Sequence, residues 1–226
     1  MKTRTIHTAK KDPPGVEDDA HGRLVTAALK LFAERGLEGV SVRELAQEAG
    51  VNLAAVNYHF GSKENLYVEA LRFKLRSLRD LDPHFDAVDQ AERADTPQSA
   101  RQAIREFIKD YMETLVNVDK RDKFILLMVR EMMEPTVAID MVVGEFIAPR
   151  FRALEILIER VRPDLAGTPE ASLCAMSIAG QCLYYRFANS VVLRLLKRKK
   201  MSPEFLNQVA GHIAEFSLRG LGVSGD

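Results

Sequence analysis

An all-α fold is predicted from three observations. Apolar residues recur at i, i+3, i+4 and i+7 through nearly every segment, no two-residue alternation of useful length appears, and Gly and Pro mark where the periodic stretches start, kink or stop. With 226 residues, 46% hydrophobic and 28% charged, the chain suits one or two domains with a buried core and is neither disordered nor collagen-like. Lys+Arg and Asp+Glu each number 32, so the formal net charge is zero. That balance argues against a protein that coats nucleic acid by bulk attraction, but leaves room for a local basic face.

From Ala20 to Arg35, the residues Leu24, Ala27, Ala28, Leu31 and Phe32 form one stripe of an amphipathic helix, and Gly36 stands where a left-handed C-cap belongs. Ser41 and Glu44 form a capping box that opens a second helix with Leu45, Ala46 and Ala49 turned inward, and Gly50 closes it. Asn52 is the N-cap of a very short third helix, from Leu53 to about His59. Gly61-Ser62 breaks and recaps the chain, and a long fourth helix begins near Lys63. Three short helices, with a tight Gly-containing turn between the second and third, have the form of a helix-turn-helix unit.

The stretch Leu81–Ser99, rich in Asp and interrupted by Pro83 and Pro97, reads as a connection with room for a short helix. Helical patterns then cover roughly Gln98–Val118, Phe124–Met133, Thr136–Val161, Pro169–Leu196 and Pro203–Leu218. The longest uncharged stretch, between Glu170 and Arg186, falls short of the ~20 residues that span a bilayer and reads as a buried helix. Cys174 and Cys182 lie about 12 Å apart along that helix, too far to bridge. Together with an N-terminus that has basic residues but no apolar core, they point to a cytoplasmic location.

In a helix-turn-helix unit the short last helix enters the major groove. Here Leu53, Val56 and Phe60 fall at i, i+3 and i+7 on its apolar side, leaving Ala54, Ala55, Asn57, Tyr58 and His59 on other faces. Asn can pair bidentately with adenine, Ala can touch thymine methyls, and Tyr and His can donate to phosphates.

The motifs Phe32-x-x-x-Gly36, Ser41-Val-Arg-Glu-Leu-Ala46, Ala49-Gly-Val51 and Tyr58-His-Phe-x-Ser-Lys63 occur in that order. The run Ala27–Leu66 that carries them resembles the DNA-binding domain of the TetR family of bacterial transcriptional regulators. That resemblance implies that Ser41 contacts phosphate and Arg43 a guanine edge or phosphate, that Ala54, Ala55 and Asn57 face bases, and that Tyr58, His59 and Lys63 hold the backbone; Asn52 completes the DNA-binding set. Val56 and Phe60 would be core. The chain departs from the commoner family pattern at Leu53, where a polar or basic residue is usual, and at Asn57, where Tyr is frequent.

Lys2, Arg4, Lys10 and Lys11 make residues 1–18 a basic tail, either flexible and solvated or lying on DNA phosphates or in the minor groove. The resemblance further implies a DNA-binding domain over 19–66 and a helical ligand-binding and dimerisation domain over 67–226. VREMMEPT and AGQCLYYRF resemble the CecR-like branch of the family, often linked to export of toxic compounds. An apolar or aromatic effector would meet Phe124, Met128, Arg130, Met132, Gln181, Tyr184 and Tyr185. Surplus apolar surface on the last two long helices suits a four-helix interface across a two-fold axis, with Ala175, Ala179, Gly180, Phe187, Phe205 and Phe216 as its residues.

Catalysis has little support. Gly220-Leu-Gly-Val-Ser-Gly225 spells a dinucleotide fingerprint, but it follows a helix and has no strand before it. His7, His21, His59, His84 and His212 form no metal-spaced cluster with the cysteines, so neither metal nor cofactor is expected. The expected function is a homodimeric repressor released from a palindromic operator by a small effector. A helical adaptor without DNA binding and an activator of the same fold are the alternatives.

Overall fold

The computed structural model describes residues 16–81, 87–116 and 123–223, and those residues form helices and their connections with no strand. In chain order the α-helices are α1 (Val16–Arg35), α2 (Val42–Ala49), α3 (Leu53–Phe60), α4 (Lys63–Leu81), α5 (Ala87–Arg93), α6 (Pro97–Val116), α7 (Lys123–Met133), α8 (Ile139–Val142), α9 (Ala148–Val161), α10 (Pro169–Phe187), α11 (Asn189–Leu195) and α12 (Pro203–Gly220). The basic tail lies outside the described residues.

Packing divides the chain into two units. One holds the described residues up to Leu75 together with Lys123–Ile139, and the other holds those of Arg76–Asp122 and Asp140–Asp226. The packing units therefore do not follow the sequence boundary at residue 66. The start of α4 and all of α7 pack with the N-terminal helices, because the apolar side of α7 lies against α1.

The core of the first unit contains most of the stripe expected on α1, with Leu31 only half-buried, and adds residues of α4 and α7 that the sequence did not single out. Leu24, Ala28 and Phe32 of α1 are fully buried, as are Leu45 of α2, Val56 of α3, Leu66 and Leu71 of α4, and Leu127 of α7. The ring of Tyr67 meets Phe32 edge to face at 5.1 Å between centroids.

The second unit buries Ile104, Ile108 and Met112 of α6 against Leu154 and Ile158 of α9, Ala175 and Cys182 of α10, and Val209 and Ile213 of α12. Polar ties cross it: Arg105 pairs with Glu215 at 2.9 Å, and Arg160 donates to the carbonyl of Ala94 at 3.2 Å. Leu221 and Val223 are buried, and Arg162 donates to the Leu221 carbonyl at 2.6 Å. The described part of the glycine-rich tail is thus a helix end stapled to the core, with Gly222 left-handed at φ +75°.

Two predicted helices are subdivided. The pattern Thr136–Val161 contains α8, a π-helical turn Val143–Ile147 and α9. Pro149 has no N–H to donate to the Glu145 carbonyl, and the Ala148 N–H reaches back five residues to Val143 instead. The pattern Pro169–Leu196 breaks at Ala188 (φ −96°, ψ 20°) into α10 and α11. No Gly or Pro marks that break.

Candidate nucleic-acid interface

The turn between α1 and α2 and the start of α2 are fixed by one carboxylate. The backbone N–H of Ser41 donates to Glu44 Oε2 at 2.9 Å, the Ser41 hydroxyl donates to the same oxygen at 2.7 Å, and the Glu44 N–H donates back to Ser41 Oγ at 3.3 Å. Arg35 holds Glu44 Oε1 at 2.7 Å. The Ser41 hydroxyl, then the Arg35 guanidinium, pull the Glu44 carboxyl down to about 2. Because the Ser41 hydroxyl is committed to Glu44, α2 offers an anion its free first-turn N–H groups, at Val42 and Arg43. Glu48 is likewise occupied, by Lys30 at 2.6 Å. Arg43 is exposed and has no ion-pair partner among the described residues, because both nearby carboxylates are held by α1.

Gly50 closes α2 in the left-handed conformation (φ +65°), where its N–H and that of Val51 return to α2 carbonyls. Asn52 then caps α3, its Oδ1 accepting the Ala55 N–H at 2.8 Å. That bond uses the Asn52 carbonyl oxygen, and the residue is exposed.

On α3, Val56 and Phe60 are buried as expected, but Leu53 is not their companion: it is 54% exposed. The Cα–Cβ bond of a helical residue tilts toward the N-terminus, so at the first position of α3 the side chain points off the end of the packed surface. Ala54, Asn57 and Tyr58 are also exposed, while Ala55 and His59 are half-buried. His59 sits edge-on to His21 of α1 at 6.0 Å and to Tyr58 at 5.0 Å, and His21 stacks on Phe60 at 4.7 Å. His21 was not singled out from sequence, although it lies three residues before Leu24, at the edge of the α1 stripe. Lys63 is turned inward far enough for its ammonium to donate to the Leu37 carbonyl at 2.9 Å.

The residues expected to meet an effector fall in both packing units. On α7, Met128 is buried, Met132 is exposed, and the guanidinium of Arg130 lies over Gly36, where an added Cβ would stand 2.5 Å from Nη1. The Phe124 side chain lies outside the described residues. Between Arg130 and Met132, Glu131 was expected to add charge beside an effector, but it faces the interior instead. Glu131 is fully buried and accepts the Tyr67 hydroxyl at 2.8 Å, the Thr136 N–H at 2.8 Å and the Thr136 hydroxyl at 2.9 Å. In the second unit, Gln181 donates to Ser217 of α12 at 3.2 Å, Tyr184 is exposed, and Tyr185 packs against the core.

Two residues expected at the dimer interface belong to the subunit interior. Ala175 is fully buried because it shares the inward stripe of α10 with Ala171, Ile178 and Cys182, and Phe205 is buried with the Arg198 guanidinium 3.9 Å above its ring. Ala179 is half-buried, while Gly180, Phe187 and Phe216 are exposed. Beside them Leu173, Met176, Tyr184, Val191 and Leu195 are exposed as well.

Residues 24–70 match the family described as bacterial regulatory proteins, tetR family. Residues 100–221, more than half of the chain, match the C-terminal domain of the HTH-type transcriptional dual regulator CecR. The chain belongs to the TetR family of transcriptional regulators. CecR of Shigella flexneri is 31% identical to this regulator over 181 residues, 78% of this chain and 79% of its own. The regulator BetI of Rhizobium meliloti is 37% identical over 90 residues, 40% of this chain and 42% of its own. Among solved structures, the hemolysin II transcriptional regulator HlyIIR superposes with a TM-score of 0.57 at 21% identity, covering 87% of this chain and 97% of that one. AibR, solved with isovaleryl coenzyme A and operator DNA, gives 0.57 at 15% identity, covering the same shares. At those identities the likeness is one of fold. The CecR-like segments in the C-terminal half thus belong to a matching domain, and this TetR-family regulator binds DNA. Among the described residues no helix is long and apolar enough to cross a membrane.

Proposed function

We infer that this regulator acts as a homodimeric repressor on a palindromic operator and is released by a small, largely apolar or aromatic effector. The observation that carries the reading is the solvent-facing side of α3, with Ala54, Asn57 and Tyr58 exposed, together with an exposed Arg43 that has no ion-pair partner among the described residues and the free N–H groups at the start of α2. Arg43, Asn57 and the Asn52 amide would meet base edges or phosphates, Ala54 and Ala55 would face bases, and Tyr58, His59 and Lys63 would hold the backbone around them, with Ser41 placing the α2 N-terminus on a phosphate. The two half-sites would lie about 34 Å apart or a multiple of it.

The dimer reading is supported by exposed apolar residues in a 3-4-4-3-4-4 progression along α10 and α11, namely Leu173, Met176, Gly180, Tyr184, Phe187, Val191 and Leu195, with Phe216 on α12. That spacing suits helix pairing across a two-fold axis. For the effector, Gln181, Tyr184 and Tyr185 on α10 supply polar and aromatic groups. An effector that favours a head arrangement unable to engage both half-sites must weaken operator binding by the factor by which DNA weakens effector binding. Activation at some promoters is a second reading, favoured by the description of the Shigella relative as a dual regulator.

The test is a gel-shift titration on a duplex carrying the protein's own promoter region. Tyr58→Ala combined with Lys63→Ala is expected to weaken binding at least tenfold. Wild-type affinity in the double variant would place the DNA face elsewhere.

A further inference from the structure

The sequence LAAVNYHF gives α3 no Arg, Lys, Asp or Glu. Arg or Lys on guanine O6 and N7 is the commonest base-specific contact in the major groove, and α3 lacks the side chains to make it. What α3 presents is apolar and amide surface. At about 100° per residue, Leu53, Asn57, Ala54 and Tyr58 fall within an arc of about 140°, and all four are exposed, Leu53 at 54% and Tyr58 at 71%. Leu53 and Ala54 occupy the first turn, the part of a recognition helix that lies nearest the base edges. More than half of Leu53 is left to solvent by the packing of the subunit. In the major groove, the apolar feature that separates one base pair from another is the C5 methyl of thymine.

We propose that α3 reads thymine methyl groups, with Leu53 and Ala54 as the methyl-contacting residues and Asn57 pairing with adenine, so that each half-site carries a run of A·T pairs beneath the helix. The inference rests on the DNA-binding reading and adds to it the class of sequence read and the residue that reads it.

The experiment uses the full-length protein. Duplexes bound from a random pool are expected to share A·T runs in both half-sites, and half-sites built around G·C pairs would overturn the assignment. The selected duplex is then made with deoxyuridine in place of thymidine in the runs, which removes the methyl groups and keeps the base pairing. Wild type is expected to bind the uracil duplex about fourfold more weakly for each buried thymine methyl removed. Leu53→Ala is expected to bind the thymine duplex more weakly and to lose much of the discrimination against uracil. Equal discrimination by wild type and Leu53→Ala would overturn the role of Leu53, and wild-type indifference to uracil would overturn methyl reading altogether. Because Leu53 is exposed, its variant should keep the wild-type thermal melt, which separates a weakened DNA interface from a damaged fold. A wild type that binds no duplex from the pool would reject the DNA-binding reading itself, a result distinct from binding without methyl discrimination.

Discussion

Glu44 ties α2 to α1 through two oxygens, one taken by Ser41 and the other by Arg35. Its folded-state carboxyl sits near 2, below the ordinary value of 4.5, so the stability it contributes is fully present above about pH 4.5 and disappears as the pH falls through about 2. Glu44→Gln should therefore flatten the acid limb of stability in that window, as read from urea midpoints at several pH values, and should leave the shape of the curve above pH 5 unchanged. Gly39 is a second residue whose identity is set by geometry: a Cβ there would stand 2.4 Å from the carbonyl oxygen of Arg35, which is backbone and cannot swing aside. Gly39→Ala should cost about 1–3 kcal/mol in urea unfolding; at Gly36 the crowding is against the movable Arg130 guanidinium, but the left-handed backbone (φ +73°) strains any side chain there. The capping box was legible because its partners are three residues apart. The partners of Arg35 and Lys63 were not, because they depend on how α1 and α4 lie over the α1–α2 turn.

At the scale of elements, α7 is the main departure from the sequence reading. Its Met and charged residues suggested an effector lining, yet Glu131 is buried in a network with Tyr67 and Thr136, and Arg130 covers the end of α1. Tyr67→Phe would remove one donor from a buried carboxylate and should destabilise the first unit by about 1–3 kcal/mol, measured by chemical denaturation. Burial first, and the Glu131 carboxylate second, push the Tyr67 phenol above its ordinary value of 10. Stability from this group is therefore present below pH 10 and lost as the pH rises beyond it, and the Phe variant should lack that alkaline loss. The same limit explains the two subdivided helices. Periodicity locates a helical stretch, but a π turn before Pro149 and a break at Ala188 leave the period nearly unchanged on either side.

For the whole molecule, zero net charge is compatible with DNA binding if the contacts are few and local, as proposed. Arg43 and the helix N-termini would supply local positive potential at the proposed DNA face, and elsewhere some opposite charges pair, as Arg105 does with Glu215 and Arg162 with Asp164. The exposed apolar progression on α10 and α11 makes self-association the expected state. Light scattering at micromolar concentration should give twice the mass of the 226-residue chain, and Phe187→Glu with Phe216→Glu should halve it. A wild-type monomer would remove the two-fold operator from the proposal.

Fold class, the caps of α2 and α3, the order of the DNA-binding motifs and the family were readable from consecutive residues, because helix periodicity, capping and turns are short-range physics. Packing alone could settle the rest. Leu53 had the spacing of a core residue but stands at a helix end, more than half exposed, Ala175 and Phe205 had the look of interface residues but fill the subunit interior, and Glu131 finds its hydroxyl partner 64 residues away. Each of those outcomes depends on which surface the neighbouring helix presents, a long-range property that no local pattern carries.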